Sequence, residues 1–229
     1  MAYVYEAVQV DTGLVLAMKR PMPYEGAADR LRRESAILAK VDSPHVMPIL
    51  DAGVDAANEP WYVMPRAKHN LSDYLEARPA GLGTDEIGRI VLDQVASGLQ
   101  ALHAAGLVHR DIKPENLLEI QDEASAEAGR WVVADLGLVR QPAGETTQNL
   151  TGSASMLGTA AYAAPEMYGD PHSVTAAADV FSLGRVIGSV ATGRTPVPGV
   201  ALLPIGELRR VAFEMTRPDP ADRPANAAE

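Results

Sequence analysis

The sequence predicts an α+β fold in which a strand-rich first third leads into a longer, mostly helical remainder, with the junction near residues 65–68. Three observations carry this. Up to Met64 the apolar residues come in short alternating runs separated by turn residues, Asp11-Thr12-Gly13 and Asn58-Glu59-Pro60. From Thr84 onward Ile87, Val91, Val95 and Leu102 share one face at helical spacing. Ala177 to Ala191 is apolar nearly all round, the pattern of a helix buried in a core. The chain therefore divides into residues 1–66 and 67–229.

The elements follow in order. Tyr3–Val10 and Leu14–Met18 flank the first turn and predict a hairpin. Pro21, Pro23 and Gly26 break the pattern, and Ala27–Lys40 reads as a helix with Leu31, Leu38 and Val41 on one face. Glu34 falls on that same face, where a carboxylate is costly unless a cation meets it. Val46–Val54 and Trp61–Met64 are short strands, and Pro65 stops the second. Thr84 is the expected N-cap of the long helix, with Asp85 and Glu86 in its first turn and Gly106 at its end. Leu117–Ile120 and Trp131–Ala134 form a strand pair separated by an exposed, acidic, alanine-rich segment, Gln121–Arg130. Gln141–Ser155 is polar and aperiodic and predicts a long loop. No internal repeat is visible.

Composition narrows the function. With 229 residues, 47% hydrophobic, the chain can bury a core without staples. Twenty basic against 30 acidic residues give a net charge of −10, which argues against nucleic acid and anionic membrane as partners. The absence of cysteine excludes disulfides, thiolate metal sites and a thiol nucleophile. No pair of the five histidines has metal-ligand spacing on one helix face. No apolar stretch is long enough to span a membrane, and the first twenty residues lack the pattern of a secretory signal, so a cytoplasmic location is expected.

The chemistry-bearing residues concentrate in a few segments. His109-Arg110-Asp111-Ile112-Lys113-Pro114-Glu115-Asn116 lies between the long helix and the next strand, and Asp135-Leu136-Gly137 follows a strand nineteen residues beyond Asn116. Ala17-Met18-Lys19 lies in the second strand, and Lys19 is the natural partner for Glu34. Together with Gly158-Thr159 to Pro165-Glu166, Asp179-Val180-Phe181-Ser182-Leu183-Gly184 and Arg223, these segments resemble the motifs of eukaryotic-type Ser/Thr protein kinases, of the kind found in bacteria, in family order from residue 4 to residue 224. Leucine at 136 replaces the family's usual phenylalanine.

The resemblance implies a bilobal protein kinase-like fold, with residues 1–66 a partial N-lobe and 67–229 a C-lobe. It implies ATP and Mg²⁺ or Mn²⁺ as cofactors, and a protein with a Ser or Thr acceptor as substrate. Asp111 would accept the hydroxyl proton, Lys113 and Lys19 would balance phosphate charge, and Asn116 with Asp135 would hold the metal. Glu34 would orient Lys19, and Val4, Ala17, Met64, Ala67 and Leu118 would enclose the adenine. Asp179 would brace the catalytic loop, and Arg223 would pair with Glu166. Arg110 would meet a phosphate placed on Thr146, Thr147, Thr151, Ser153 or Ser155, and Thr159 would hydrogen-bond near Asp111.

The family's glycine-rich loop is missing. Alignment on Val4 puts Ala2 where its last glycine belongs, the first strand would precede Met1, and the far end is short of a further helix. The expected function is a Ser/Thr protein kinase. The alternative is a pseudokinase-type nucleotide-binding or interaction module. A small-molecule phosphotransferase is disfavoured by Lys113 and the Thr159–Glu166 segment, which suit a peptide acceptor.

Overall fold

Strands β1 (Ala2–Val8) and β2 (Val15–Pro21) form the expected antiparallel hairpin in the computed structural model, which describes residues 2–122, 125–136, 160–169 and 174–228. Gly13, at φ 71°, makes the turn that the residue type allows, and its N–H donates to the Gln9 carbonyl at 2.8 Å. β2 pairs with β4 (Pro60–Pro65) and β4 with β3 (Asp51–Val54), giving the order β1-β2-β4-β3. The register sets Val4 and Tyr62 opposite Lys19, and Met64 opposite Ala17. Side chains alternate along strands, so these residues share one sheet face. Helix α1 (Ala27–Leu38) packs on that sheet through Leu31, Glu34, Ile37 and Leu38.

Two expectations need correction in this part. α1 ends two residues before Lys40 because Lys40 N–H and Val41 N–H bond three residues back, to Ile37 and Leu38, and tighten the chain into a turn. The strand expected over Val46–Val54 begins only at Asp51. Its first half is claimed by a second sheet: Val46 bridges Val133 in parallel, and Met47 N–H donates to the Val133 carbonyl at 2.9 Å.

That second sheet has the order β5-β6-β7, from β5 (Ala67–Asn70), β6 (Leu117–Asp122) and β7 (Ser125–Val133). The predicted pairing of Leu117 with Val133 is present. The strands run further than expected, however, and take up most of Gln121–Arg130 as hairpin. Asn70 caps α2 (Leu71–Glu76) by accepting the Asp73 N–H at 2.9 Å. The long helix comprises α3 (Thr84–Ile87), a wider π-helical stretch Gly88–Val95, and α4 (Ala96–Ala104). Gly83 rather than Thr84 is its N-cap, and Thr84 is already helical. Its end is a Schellman motif: Leu107 N–H bonds the Leu102 carbonyl and Gly106 N–H the His103 carbonyl, with Gly106 at φ 73°.

Ile87, Val91, Val95 and Leu102 are buried as predicted, against β7 and α5 (Ala177–Thr192). α5 is buried on all sides but is not apolar throughout. Asp179, Ser182, Arg185 and Ser189 are as enclosed as their apolar neighbours. α6 (Leu208–Met215) packs beside it. No described helix is long and apolar enough to cross a membrane.

The expected Glu166–Arg223 contact is bidentate, at 2.7 and 3.0 Å, and the same guanidinium donates to the carbonyls of Ala177, Arg217 and Pro218. Removing a cation with five such bonds strands a mostly buried carboxylate. Arg223→Met is expected to cost about 3 kcal/mol in urea unfolding, and Glu166→Gln less, since the guanidinium keeps its carbonyls.

Candidate active site

The first cluster is built across β2, α1 and the end of β7. Lys19 Nζ lies 2.7 Å from Glu34 Oε1 and 3.0 Å from Asp135 Oδ1, joining residues 116 positions apart. Tyr62 donates its hydroxyl to the same Glu34 oxygen at 3.0 Å. Lys19 and Glu34 are 8% and 3% exposed, so neither charge would persist there alone. Burial works against the Lys19 ammonium, but Glu34 and Asp135 outweigh it and hold its pKa above the ordinary lysine value. Burial pushes Glu34 up, and Lys19 only partly offsets this. Partial desolvation also pushes Asp135 up, but there Lys19 prevails and the carboxyl sits below its usual range. Lys19 is thus a fixed cation, with Asp135 its ionised partner on the open side, where 53% of that side chain remains accessible.

The second cluster is the loop before β6. Asp111 Oδ2 lies 2.9 Å from Lys113 Nζ and accepts from Asn116 Nδ2 at 2.9 Å. Asn116 Nδ2 also donates to the Asp111 backbone carbonyl at 2.7 Å. Asp111 Oδ1 is buried and has no hydrogen-bond partner among the described residues. A carboxylate with one oxygen anchored and the other bare is arranged to accept a proton or a hydrogen bond from something that enters.

The loop's backbone is held from below by Asp179, which is 0% exposed. Its two carboxylate oxygens accept the N–H groups of His109 and Arg110, each at 2.8 Å. Arg110 takes φ 68°, a left-handed conformation uncommon for arginine, and Asp135 takes φ 62°. His109 bridges the two: its Nδ1 accepts the Asp111 N–H at 3.2 Å, and its Nε2 donates to the Ala134 carbonyl at 3.0 Å. Asp111 and Asp135 are therefore set relative to each other through one buried imidazole.

Among the described residues no group of three or more His, Cys, Asp or Glu is placed to hold a metal ion. That fits an ion which takes one or two protein oxygens and completes its octahedron with water and phosphate, as Mg²⁺ does. Asn116 spends its amide hydrogens on Asp111, which leaves the amide oxygen as a donor alongside the accessible Asp135 carboxylate. Hard oxygen donors of this kind suit Mg²⁺ or Mn²⁺.

The remaining expected residues are placed as follows. Val4 is 58% exposed on β1, and Ala17 and Met64, each 9% exposed, face one another across β2 and β4. Ala67 starts β5 opposite Ile120, and partly buried Leu118 lies on β6 opposite Asn70 and Val132. Gly137, Thr146, Thr147, Thr151, Ser153, Ser155, Gly158 and Thr159 lie outside the described residues.

A family model of the protein kinase domain matches residues 1–220. The chain belongs to the protein kinase domain family. This kinase domain is 33% identical, over 86% of its length, to a probable serine/threonine-protein kinase, pknA2, of Bifidobacterium longum. It is 35% identical over 79% of its length to the serine/threonine-protein kinase PknL of Mycobacterium tuberculosis, and 34% over 74% to AfsK of Streptomyces coelicolor. It spans 25%, 42% and 20% of those three relatives, respectively. The expected bilobal, α+β kinase-like class agrees with the strand-rich sheet and helical remainder described above.

Sequence reasoning missed two residues of the kinase domain's site. Tyr62, the second donor to Glu34, follows from strand parity once Lys19 and Tyr62 are known to be paired. His109 was visible in its motif but not its bond to Ala134, which needs the end of β7 beside it.

The Lys19–Glu34 pair makes a pH prediction. In Lys19→Met, Glu34 keeps its burial and loses its cation, so its folded pKa rises further above the unfolded value. A raised acid stabilises the fold while protonated, and that contribution is lost as pH rises toward the folded pKa. Urea midpoints of Lys19→Met should therefore fall more steeply than the parent's as pH rises above the ordinary glutamate range. Parallel curves for the two proteins would show that the ion pair does not govern Glu34.

Proposed function

We propose that this kinase domain transfers the γ-phosphoryl of ATP to Ser or Thr hydroxyls of a protein. The observation that carries this is the Lys19 ammonium held between Glu34 and Asp135, with Asp111 kept in register on the adjoining loop. In this reading Lys19 binds nucleotide phosphate oxygens, and Glu34 with Tyr62 keeps its Nζ in place. Asp111 receives the acceptor hydroxyl's proton on Oδ1, while Asn116 and Lys113 anchor Oδ2. The new O–P bond forms as the bond from the γ-phosphorus to the β–γ bridging oxygen breaks. Lys113, beside the acceptor, offsets charge on the migrating group. Asp135 and Asn116 would hold Mg²⁺ or Mn²⁺, which supplies charge neutralisation on the phosphates.

Val4, Ala17 and Met64 lie on the Lys19 face of the first sheet and would cover the adenine from above. Leu118 would close the pocket from below and Ala67 would border it at the connection, with residues 1–66 and 67–229 as the two lobes. The substrate is a protein rather than a nucleic acid, in keeping with a net charge of −10, and an ATP-consuming reaction suits the cytoplasm. The matched relatives carry serine/threonine-protein kinase names, which supports the acceptor class.

Transfer is tested with ATP labelled at the γ- or the α-phosphate, a basic protein such as myelin basic protein, and Mg²⁺ or Mn²⁺. Incorporation from γ-label only, abolished by chelating the metal, is expected. Nucleotide binding without incorporation would favour the interaction-module alternative.

A further inference from the structure

Arg185 is a buried cation with no part in the proposed phosphotransfer chemistry. It sits in the middle of α5 and is 4% exposed, and no carboxylate pairs with it among the described residues. Its guanidinium instead donates to three backbone carbonyls. Nε reaches Ala161 at 3.0 Å, one terminal nitrogen reaches Val197 at 2.7 Å, and the other bonds Val200. Burial pulls its pKa below the ordinary arginine value, so the position is costly for the charge it holds. A leucine or valine would fill a core helix without that cost.

What the guanidinium grips gives it a purpose. Ala161 and Tyr162 belong to the stretch 160–169, which packs beside the catalytic loop: Ala164 and Met167 cluster with Phe181, and Val108, next to His109, packs against them. Tyr162 is held by a second group on the same face of α5, its hydroxyl 3.2 Å from Ser189 Oγ, one turn beyond Arg185. On its other side Arg185 fixes Val197 and Val200, in the proline-bearing connection between α5 and α6. Two loops that share no strand or helix are thus tied to each other through one side chain, and one of them packs through Ala164 and Met167 near Val108, at the start of the loop that carries Asp111. A planar fork with several fixed donors is suited to this, whereas a lysine ammonium cannot reach three separated carbonyls.

We propose that Arg185 is a positioning residue for protein-acceptor binding, fixing the wall formed by residues 160–167 beside the loop that carries Asp111. This rests on the phosphotransfer reading above. Its effect should appear in the affinity for the protein acceptor and not in that for ATP, whose proposed contacts lie on the strands of the two sheets, on α1 and just beyond β7, and not on residues 160–167.

The test compares the parent chain with Arg185→Met and Arg185→Lys, using myelin basic protein as acceptor. Arg185→Met should raise the KM for the acceptor at least tenfold while the KM for ATP stays within about twofold, and Arg185→Lys should recover part of the loss. Acceptor KM unchanged in both variants, or ATP and acceptor KM raised in the same proportion, would overturn the proposal. Where Arg185→Met does not fold, Arg185→Lys alone carries the test, with a smaller rise in acceptor KM expected and no rise decisive against it. Amide hydrogen exchange separates this proposal from the reading it rests on. Even if the parent transfers no phosphate, Arg185→Lys should speed exchange at residues 161–167 and leave α1 and β2 unchanged. Uniform exchange across the chain would remove the positioning role.

Discussion

Replacing Asp111 by asparagine is expected to lower the rate of phosphotransfer by about 10²- to 10⁴-fold, which corresponds to roughly 3–5 kcal/mol of transition-state stabilisation. Asparagine keeps the size of the side chain and can still accept from the Asn116 amide, so the loop should stay folded. What disappears is the ability of Oδ1 to take a proton, the one chemical property that its buried, unpartnered state singles out. The KM for ATP should change little, because the proposed phosphate contacts belong to Lys19 and Asp135. Steady-state kinetics at saturating acceptor measure both quantities. A variant that transfers phosphate within tenfold of the parent would remove Asp111 from the proton's path.

Replacing Asp179 by alanine should damage stability and activity together. The fully buried carboxylate accepts the N–H groups of His109 and Arg110, and His103 Nε2 stands 2.9 Å from it. His103 Nδ1 accepts the Ala227 N–H, which leaves Nε2 to donate to Asp179. Alanine would orphan three buried donors, each worth about 1–3 kcal/mol, so a loss on the order of 3–5 kcal/mol in urea unfolding is expected. The left-handed Arg110 backbone would lose the bond that holds it, and Asp111, the next residue, would lose its setting. Asp179→Asn keeps one acceptor oxygen and should lose about half as much stability. A fully stable, fully active Asp179→Ala protein would mean that the loop needs no support from α5.

The pairing of Lys19 with Glu34 was legible in the sequence because a carboxylate on an apolar helix face must find a cation, and the alternating strand offered one. The loop around Asp111 was legible because its residue types are rare together, and the long helix because its apolar face and its Gly106 stop agree. Where legibility failed, a distant partner decided. Val46 reads as the start of a strand but is drawn to Val133, some ninety positions away, through a bridge no local pattern reveals. Gln121–Arg130 has the composition of an exposed linker, yet its backbone pairs across a hairpin because the flanking strands are already in register. Arg185 breaks an apolar helix in the sequence without explanation until the carbonyls of Ala161, Val197 and Val200 are brought to it. The positive φ at Arg110 is likewise imposed by what surrounds it, since arginine rarely adopts that conformation, whereas aspartate, as at Asp135, adopts it more readily.

In the proposed reaction the Asp111 loop and the Lys19–Glu34–Asp135 triad act together in phosphoryl transfer to a hydroxyl. Phosphoamino-acid analysis of myelin basic protein, after incubation with γ-labelled ATP and Mg²⁺ or Mn²⁺, tests it most directly when the parent, Asp111→Asn and Lys19→Met are run side by side. Labelled phosphoserine or phosphothreonine is expected with the parent chain, and near-background label with either variant. Equal labelling by all three proteins, or label on tyrosine alone, would contradict it.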